Sequence, residues 1–206
     1  MIKNKSLTTR DIIFQASVEL FSSKGYHGTS IRDITGKVGI KESSLYNHFI
    51  GKEAILDAIM DYQMDVFNKA VKALEKLKFT DADNITDPVK FWMTGADEFL
   101  KYMDPLSELI TQILINEMFL NQKCRQFYLN TMLLSQKKLV KTIFTEMRRK
   151  GMIKDCDIEK TASQYVYMLQ GLEIENKLRA MEGEKTGKIQ KHLFEQITLF
   201  IQGMKK

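Results

Sequence analysis

Two prolines, 11 glycines and two cysteines in 206 residues leave this chain with little that could break or staple its backbone. Cys124 and Cys156 stand 32 positions apart with no CxxC spacing. That excludes a zinc module and a secreted disulfide framework, and makes a reducing cytoplasm the expected setting. The three histidines, His27, His48 and His192, form no HxxxH or HExxH pair, and neither a GxSxG elbow nor a phosphate-cradling glycine loop occurs. No metal, no cofactor and no catalytic centre are therefore expected, and the chain does not read as an enzyme. Lys3 and Lys5 are followed by no apolar h-region, and no run of about 18 apolar residues is present, so neither a signal peptide nor a membrane span is expected.

What remains is helix chemistry. Leu, Lys, Glu, Met, Ile and Gln are plentiful, with 44% hydrophobic and 28% charged residues, and an all-α fold of one or two domains is expected. The net charge is +5, and its excess is densest at the front, where residues 1–56 hold eight Lys or Arg against five Asp or Glu.

Local signals set the first helices. Thr8 and Asp11 form a capping-box pattern ahead of Ile13, Ala16 and Leu20, a helix running to about Lys24 and closed by Gly25. Ser30 and Asp33 repeat the pattern ahead of Ile31, Ile34 and Val38, and Gly39 stops that short helix. A third segment, Lys41 to Phe49, turns Leu45 and Phe49 inward and leaves Glu42, Ser43, Ser44, Tyr46 and Asn47 outward. A long helix follows from Lys52 to about Leu77. Helix, glycine turn and short helix within twenty residues is the helix-turn-helix layout, whose second helix lies in the major groove of DNA, although other three-helix bundles share it.

The stretch from Ala16 to Ile34, with Gly25-Tyr26, then Val38-Gly39-Ile40, Leu45-Tyr46-Asn47-His48-Phe49 and Lys52-Glu53-Ala54-Ile55-Leu56, resembles the DNA-binding domain of TetR-family transcriptional regulators. The resemblance implies an N-terminal three-helix domain at 1–51 and a larger helical effector-binding and dimerisation domain at 52–206. It also implies a ligand-responsive dimer, a repressor by the habit of the family, on double-stranded DNA. Two departures stand out. Thr35 replaces a common alanine, which a hydroxyl bonded to a preceding carbonyl accommodates, and Lys41-Glu42-Ser43 replaces the usual start of helix three, with Lys41 a poor N-cap.

The resemblance assigns phosphate contacts to Thr29 and Ser30, whose hydroxyls are expected to point outward, and to Tyr46, His48 and Lys52. Ser30 is equally a plain cap, His48 a cover over Phe49, and Lys52 a solvated lysine. Base reading falls to Lys41, Glu42, Ser43, Ser44 and Asn47, with lysine suited to guanine, asparagine to adenine and glutamate to cytosine. Glu42 alternatively pairs with Lys41. One such helix reads few base pairs, so a homodimer on a near-palindromic operator is required, with half-sites about one helical turn apart or somewhat more.

Beyond residue 56, Asp87-Pro88 and Asp104-Pro105 start two helices, to about Met103 and Leu120. Lys123–Lys150 reads as a single helix, Asp157 opens another to about Met181, and Thr186–Met204 closes the chain. The apolar stripes of the last two helices are broader than one packed face needs. With the resemblance they point to a dimer interface at Tyr165, Leu169, Leu172, Ile189, Leu193, Ile197 and Phe200, against the alternative of a thicker intramolecular core. Eleven of the 12 methionines lie after residue 56, and Trp92, Met93, Met118, Phe119, Phe127 and Tyr128 are the candidate lining for a small hydrophobic or amphipathic effector, though a helical core uses the same residues. Gln112, Asn116, Glu117 and Gln164 are candidate polar contacts for it. The competing reading is a helical interaction or adaptor protein that binds no DNA.

Overall fold

The computed structural model describes residues 7–76 and 85–206. Among these the chain is helical: α1 Thr9–Lys24, α2 Ile31–Val38, α3 Glu42–Tyr46, α4 Lys52–Lys76, α5 Pro88–Leu100, α6 Pro105–Glu117, α7 Gln122–Phe127, a π-helical turn Tyr128–Met132, α8 Leu133–Arg149, α9 Ile158–Met181 and α10 Thr186–Met204. The β feature seen is an isolated antiparallel bridge between Ile153 and Lys205. The expected end of the fourth helix at Leu77 lies outside the described residues.

The capping signals act as their chemistry requires. Thr8 donates its backbone N–H to the Asp11 carboxylate at 3.0 Å, and Asp11 returns its own N–H to the threonine hydroxyl at 3.2 Å, which satisfies two of the orphan donors of α1. Asp104 and Ser107 do the same for α6, and Asp157 accepts from the Lys160 N–H to start α9. Gly39 closes α2 in the left-handed region at φ +78°, a conformation that costs other residues a Cβ clash. Gly28 is constrained differently, because a Cβ there would lie 2.3 Å from the Lys24 carbonyl oxygen.

The chain packs as two compact units, one formed by residues up to Ala70 with Lys101–Thr131, the other by Val71–Leu100 with Met132–Lys206. The division at 51/52 separates expected roles; packing runs differently. Ile55, Leu56 and Ile59 of α4 and Ile110, Ile113 and Leu114 of α6 share the first unit's core with Ile13, Phe21, Ile34, Leu45 and Phe49. In the second unit α8 packs on α9, and α10 on α9 and α5, around Phe91, Trp92, Phe144, Met147, Tyr165 and Ile201.

The single helix expected over Lys123–Lys150 is instead two α-helices joined by the π turn. A π turn holds one more residue than an α turn, so it shifts the phase of everything after it, a change that a constant 3.6-residue period does not register. The helices from Asp87 and Asp104 stop about a turn earlier than expected, at Leu100 and Glu117.

Candidate nucleic-acid interface

The second unit-one helix pair is fixed from below and from its ends. Ile34 and Leu45 are fully buried and Phe49 nearly so, which pins α2 and α3 to α1. The turn between them is closed by Gly39 and Ile40, whose N–H groups both donate to the Thr35 carbonyl at 2.9 and 3.1 Å. Thr35 is itself buried and donates its hydroxyl to the Arg32 carbonyl at 3.2 Å, so the departure from alanine is accommodated as expected. Lys41 makes no side-chain cap. The helix is accordingly short, and His48 and Phe49 complete it as a tight turn, both N–H groups donating to the Leu45 carbonyl at 2.9 and 3.0 Å.

With Leu45 and Phe49 committed inward, Lys41, Glu42, Ser43, Tyr46, Asn47 and His48 are exposed and Ser44 is half-buried. The His48 ring therefore does not hide against the core. Arg10 stands over the Phe49 ring at 4.6 Å, the cation covering the hydrophobic face from the solvent side. Ile50, beside this surface, is 90% exposed.

Three expectations need correction. Thr29 does not point outward: it is buried, and its hydroxyl donates to the Gly25 carbonyl at 2.9 Å and the Leu20 carbonyl at 3.3 Å. Lys52 is not a solvated lysine, because its ammonium donates to the Tyr26 and Thr29 carbonyls at 2.8 and 2.9 Å and lies 4.2 Å from the centre of the Tyr26 ring. Burial lowers its pKa from the ordinary lysine value, with Glu117 pulling the other way. Glu42 pairs with Arg32 at 3.2 Å rather than with Lys41; sequence neighbours on a helix do not face each other, whereas α2 runs alongside.

Ser30 caps α2. Its hydroxyl accepts from the Asp33 N–H at 3.1 Å, and Asp33 accepts from the Ser30 N–H at 2.8 Å and from Lys24 at 3.0 Å. The Ser30 hydroxyl and amide, then Lys24, hold the Asp33 carboxyl far below the usual carboxylate range.

The residues expected at a dimer interface divide. Tyr165 is wholly buried in its own unit, with Trp92 at 4.6 Å, Phe200 at 5.3 Å and Phe144 at 5.7 Å between ring centres, and burial pushes its phenol well above the ordinary range. Tyr165 belongs to the unit's own core, as the alternative of a thicker intramolecular core expects, and Leu172 is also buried within its own chain. Leu169, Ile197 and Phe200 pack partly against that core, and Ile189 and Leu193 are half-buried. The exposed apolar face lies elsewhere, on Tyr167, Ile174, Leu178 and Met181 of α9 and Phe194 and Leu199 of α10. On α9 these residues, with the open Gly171, step by 4, 3, 4 and 3 along one side, a heptad spacing present in the sequence but masked by the competing stripe through Tyr165.

The candidate effector residues also divide. Trp92 is core to the second unit and Met93 packs against it, whereas Met118 and Phe127 pack on the first unit's core. Phe119 is 72% exposed, and Tyr128 opens the π turn. Among the described residues no group of His, Cys, Asp and Glu could hold a metal ion, and no helix is long and apolar enough to cross a membrane.

A short exposed helix held by two inward side chains, set on a glycine turn after a capped helix, is the helix-turn-helix layout, here in a chain whose described residues are mostly helical. Residues 13–59 match the family model described as bacterial regulatory proteins, tetR family. Two curated relatives are similar: the HTH-type transcriptional regulator YerO of Bacillus subtilis (strain 168), 28% identical over 124 residues, and the biofilm operon icaADBC negative transcriptional regulator IcaR of Staphylococcus aureus (strain Newman), 39% identical over 62. The aligned stretches cover 58% and 30% of this chain and only 40% and 33% of those relatives. The fold extends further. The TetR-family transcriptional regulator from Cytophaga hutchinsonii superposes with a TM-score of 0.67 at 19% identity, over 98% of each chain.

Proposed function

We propose that this protein is a dimeric transcriptional repressor that reads a near-palindromic operator through α3 and is released by a small hydrophobic or amphipathic effector. The observation that carries the reading is the division of labour within residues 41–49: Leu45 and Phe49 are buried, while the Lys41 ammonium, the Ser43 hydroxyl, the Tyr46 phenol and the Asn47 amide are left exposed on a helix-turn-helix. Phosphate contacts would come from Tyr46, His48 and Lys41, and base reading from Ser43, Asn47 and Lys41. Repression is supported by the likeness of the module to IcaR, a negative regulator. A second copy would cover Tyr167, Ile174, Leu178, Met181, Phe194 and Leu199, with Gly171 leaving room for close approach of the partner helix. The effector part rests on the methionine- and aromatic-rich composition beyond residue 56.

Fluorescence anisotropy with fragments of the DNA upstream of the protein's own gene tests this. A sequence-dependent, salt-sensitive complex containing two protomers is expected, and I174E with L178E is expected to give a folded monomer that no longer binds. A chain that binds no fragment more tightly than random DNA across 50–200 mM salt overturns the proposal.

A further inference from the structure

The loop Gly25–Thr29, which joins α1 to α2, has the Tyr26 N–H and the Tyr26 and Thr29 carbonyls held by side chains from beyond α3. Glu117, the last residue of α6 and 5% exposed, accepts the Tyr26 N–H at 2.9 Å across 91 positions of sequence. On the other side of the same residue, the Tyr26 carbonyl accepts from Lys52, which also holds the Thr29 carbonyl. The Tyr26 ring meets Phe21 edge-on at 5.2 Å and His27 at 5.4 Å. Thr29 immediately precedes Ser30, the cap of α2, so whatever fixes Tyr26 and Thr29 fixes where α2 begins. Just beyond α6, Lys123 pairs with Glu53 at 3.2 Å and with Asp57 on the first turns of α4. The second carboxylate oxygen of Glu117 is buried without a hydrogen bond, 4.0 Å from the His27 Nε2. A buried carboxylate with one oxygen idle is costly unless the other does something that needs it.

We infer that Glu117 is a positioning residue for DNA binding: by gripping the Tyr26 amide from the end of α6, it sets the α1–α2 loop and hence the start of α2. The inference rests on the regulator reading for its DNA arm. Displacement of the C-terminal end of α6 would release the loop without touching α3 itself.

Three variants of the full chain test it. E117A removes the acceptor, E117Q keeps an oxygen in reach of the Tyr26 amide but drops the charge, and E117D keeps the charge but withdraws it by one methylene. Hydrogen exchange at the Tyr26 amide should accelerate roughly tenfold or more in E117A and E117D and stay near the parent rate in E117Q. At a temperature where circular dichroism shows each variant folded, affinity for the upstream DNA fragment should fall roughly tenfold in E117A and E117D and recover to within about threefold in E117Q. A merely structural role would lower the melting temperature while leaving the affinity of folded protein unchanged, and that result overturns the inference, as does unaltered Tyr26 exchange in E117A. Should E117A not fold, E117D against E117Q decides on the same readings. If the parent chain binds no fragment, the regulator reading fails and the DNA arm with it, whereas exchange at Tyr26 still reports separately whether Glu117 holds the loop.

Discussion

The two packing units are built from different materials. Each fully buried polar side chain among the described residues, Ser17, Thr29, Thr35, Gln63, Ser107 and Glu117, lies in the first unit. There they bond to backbone, as Ser17 does to the Ile13 carbonyl at 2.7 Å, or, for Gln63, to the half-buried Thr111 hydroxyl at 3.0 Å. The second unit is held by apolar and aromatic area, with Trp92, Phe144, Tyr165 and Phe200 in mutual ring contact. A satisfied buried hydrogen bond adds only about 1 kcal/mol of net stability, but it permits one geometry and penalises the rest. Apolar contact contributes more and specifies less. The unit that carries α3 is thus the one built for position, and the other is built for cohesion.

The sharpest way to break this contrast is to empty the aromatic cluster. Phe144→Ala should destabilise the protein by about 3–5 kcal/mol in a denaturant melt; a loss below about 1 kcal/mol would mean the rings are not what holds that unit. A smaller effect with a different signature is expected from Lys52→Met. It removes two charge-assisted bonds to loop carbonyls, worth about 1–3 kcal/mol together after allowance for partial exposure. Affinity for operator DNA should drop while the slope of log affinity against log salt stays as in the parent, since an ammonium tied to Tyr26 and Thr29 releases no counterion. A slope shallower by about one would show that Lys52 does reach a phosphate.

The gentlest probe uses the two thiols, one in each unit. Burial pushes Cys124 up to about 11 from an ordinary value near 9.0, so at pH 8 only about one molecule in a thousand carries the reactive thiolate, and the fraction rises tenfold per pH unit until it nears that value. Half-buried Cys156 should therefore be alkylated first by iodoacetamide at pH 8, with Cys124 labelled only on unfolding. Equal rates would show that the first unit opens more readily than its clamps imply.

Much of the first unit was open to reading because its signals are local. Thr8 with Asp11, Ser30 with Asp33, Gly25, Gly39, and the pair Leu45 and Phe49 each declare a boundary or a face within four residues. The surface of α3 followed from them. What escaped is long-range: Glu117 on the Tyr26 amide and Lys52 on the loop carbonyls join residues 91 and 26 positions apart and leave no mark on either neighbourhood. Thr29 escaped for a related reason, since a hydroxyl beside a cap has two directions to point and only the packed carbonyls of Leu20 and Gly25 choose between them. In the second unit α9 carries apolar residues on more than one side, so periodicity found the helix but could not say that Tyr165 faces in and Tyr167 out.

The brevity of α3 has a consequence for how such a chain changes over generations. Leu45 and Phe49 answer to the core, and the exposed positions around them answer to almost nothing inside the molecule. If the proposed reading of α3 holds, substitutions at Ser43 or Asn47 alter which sequence is preferred while leaving folding nearly untouched. Duplicated copies could therefore drift to separate targets in single steps, without first acquiring any compensating change.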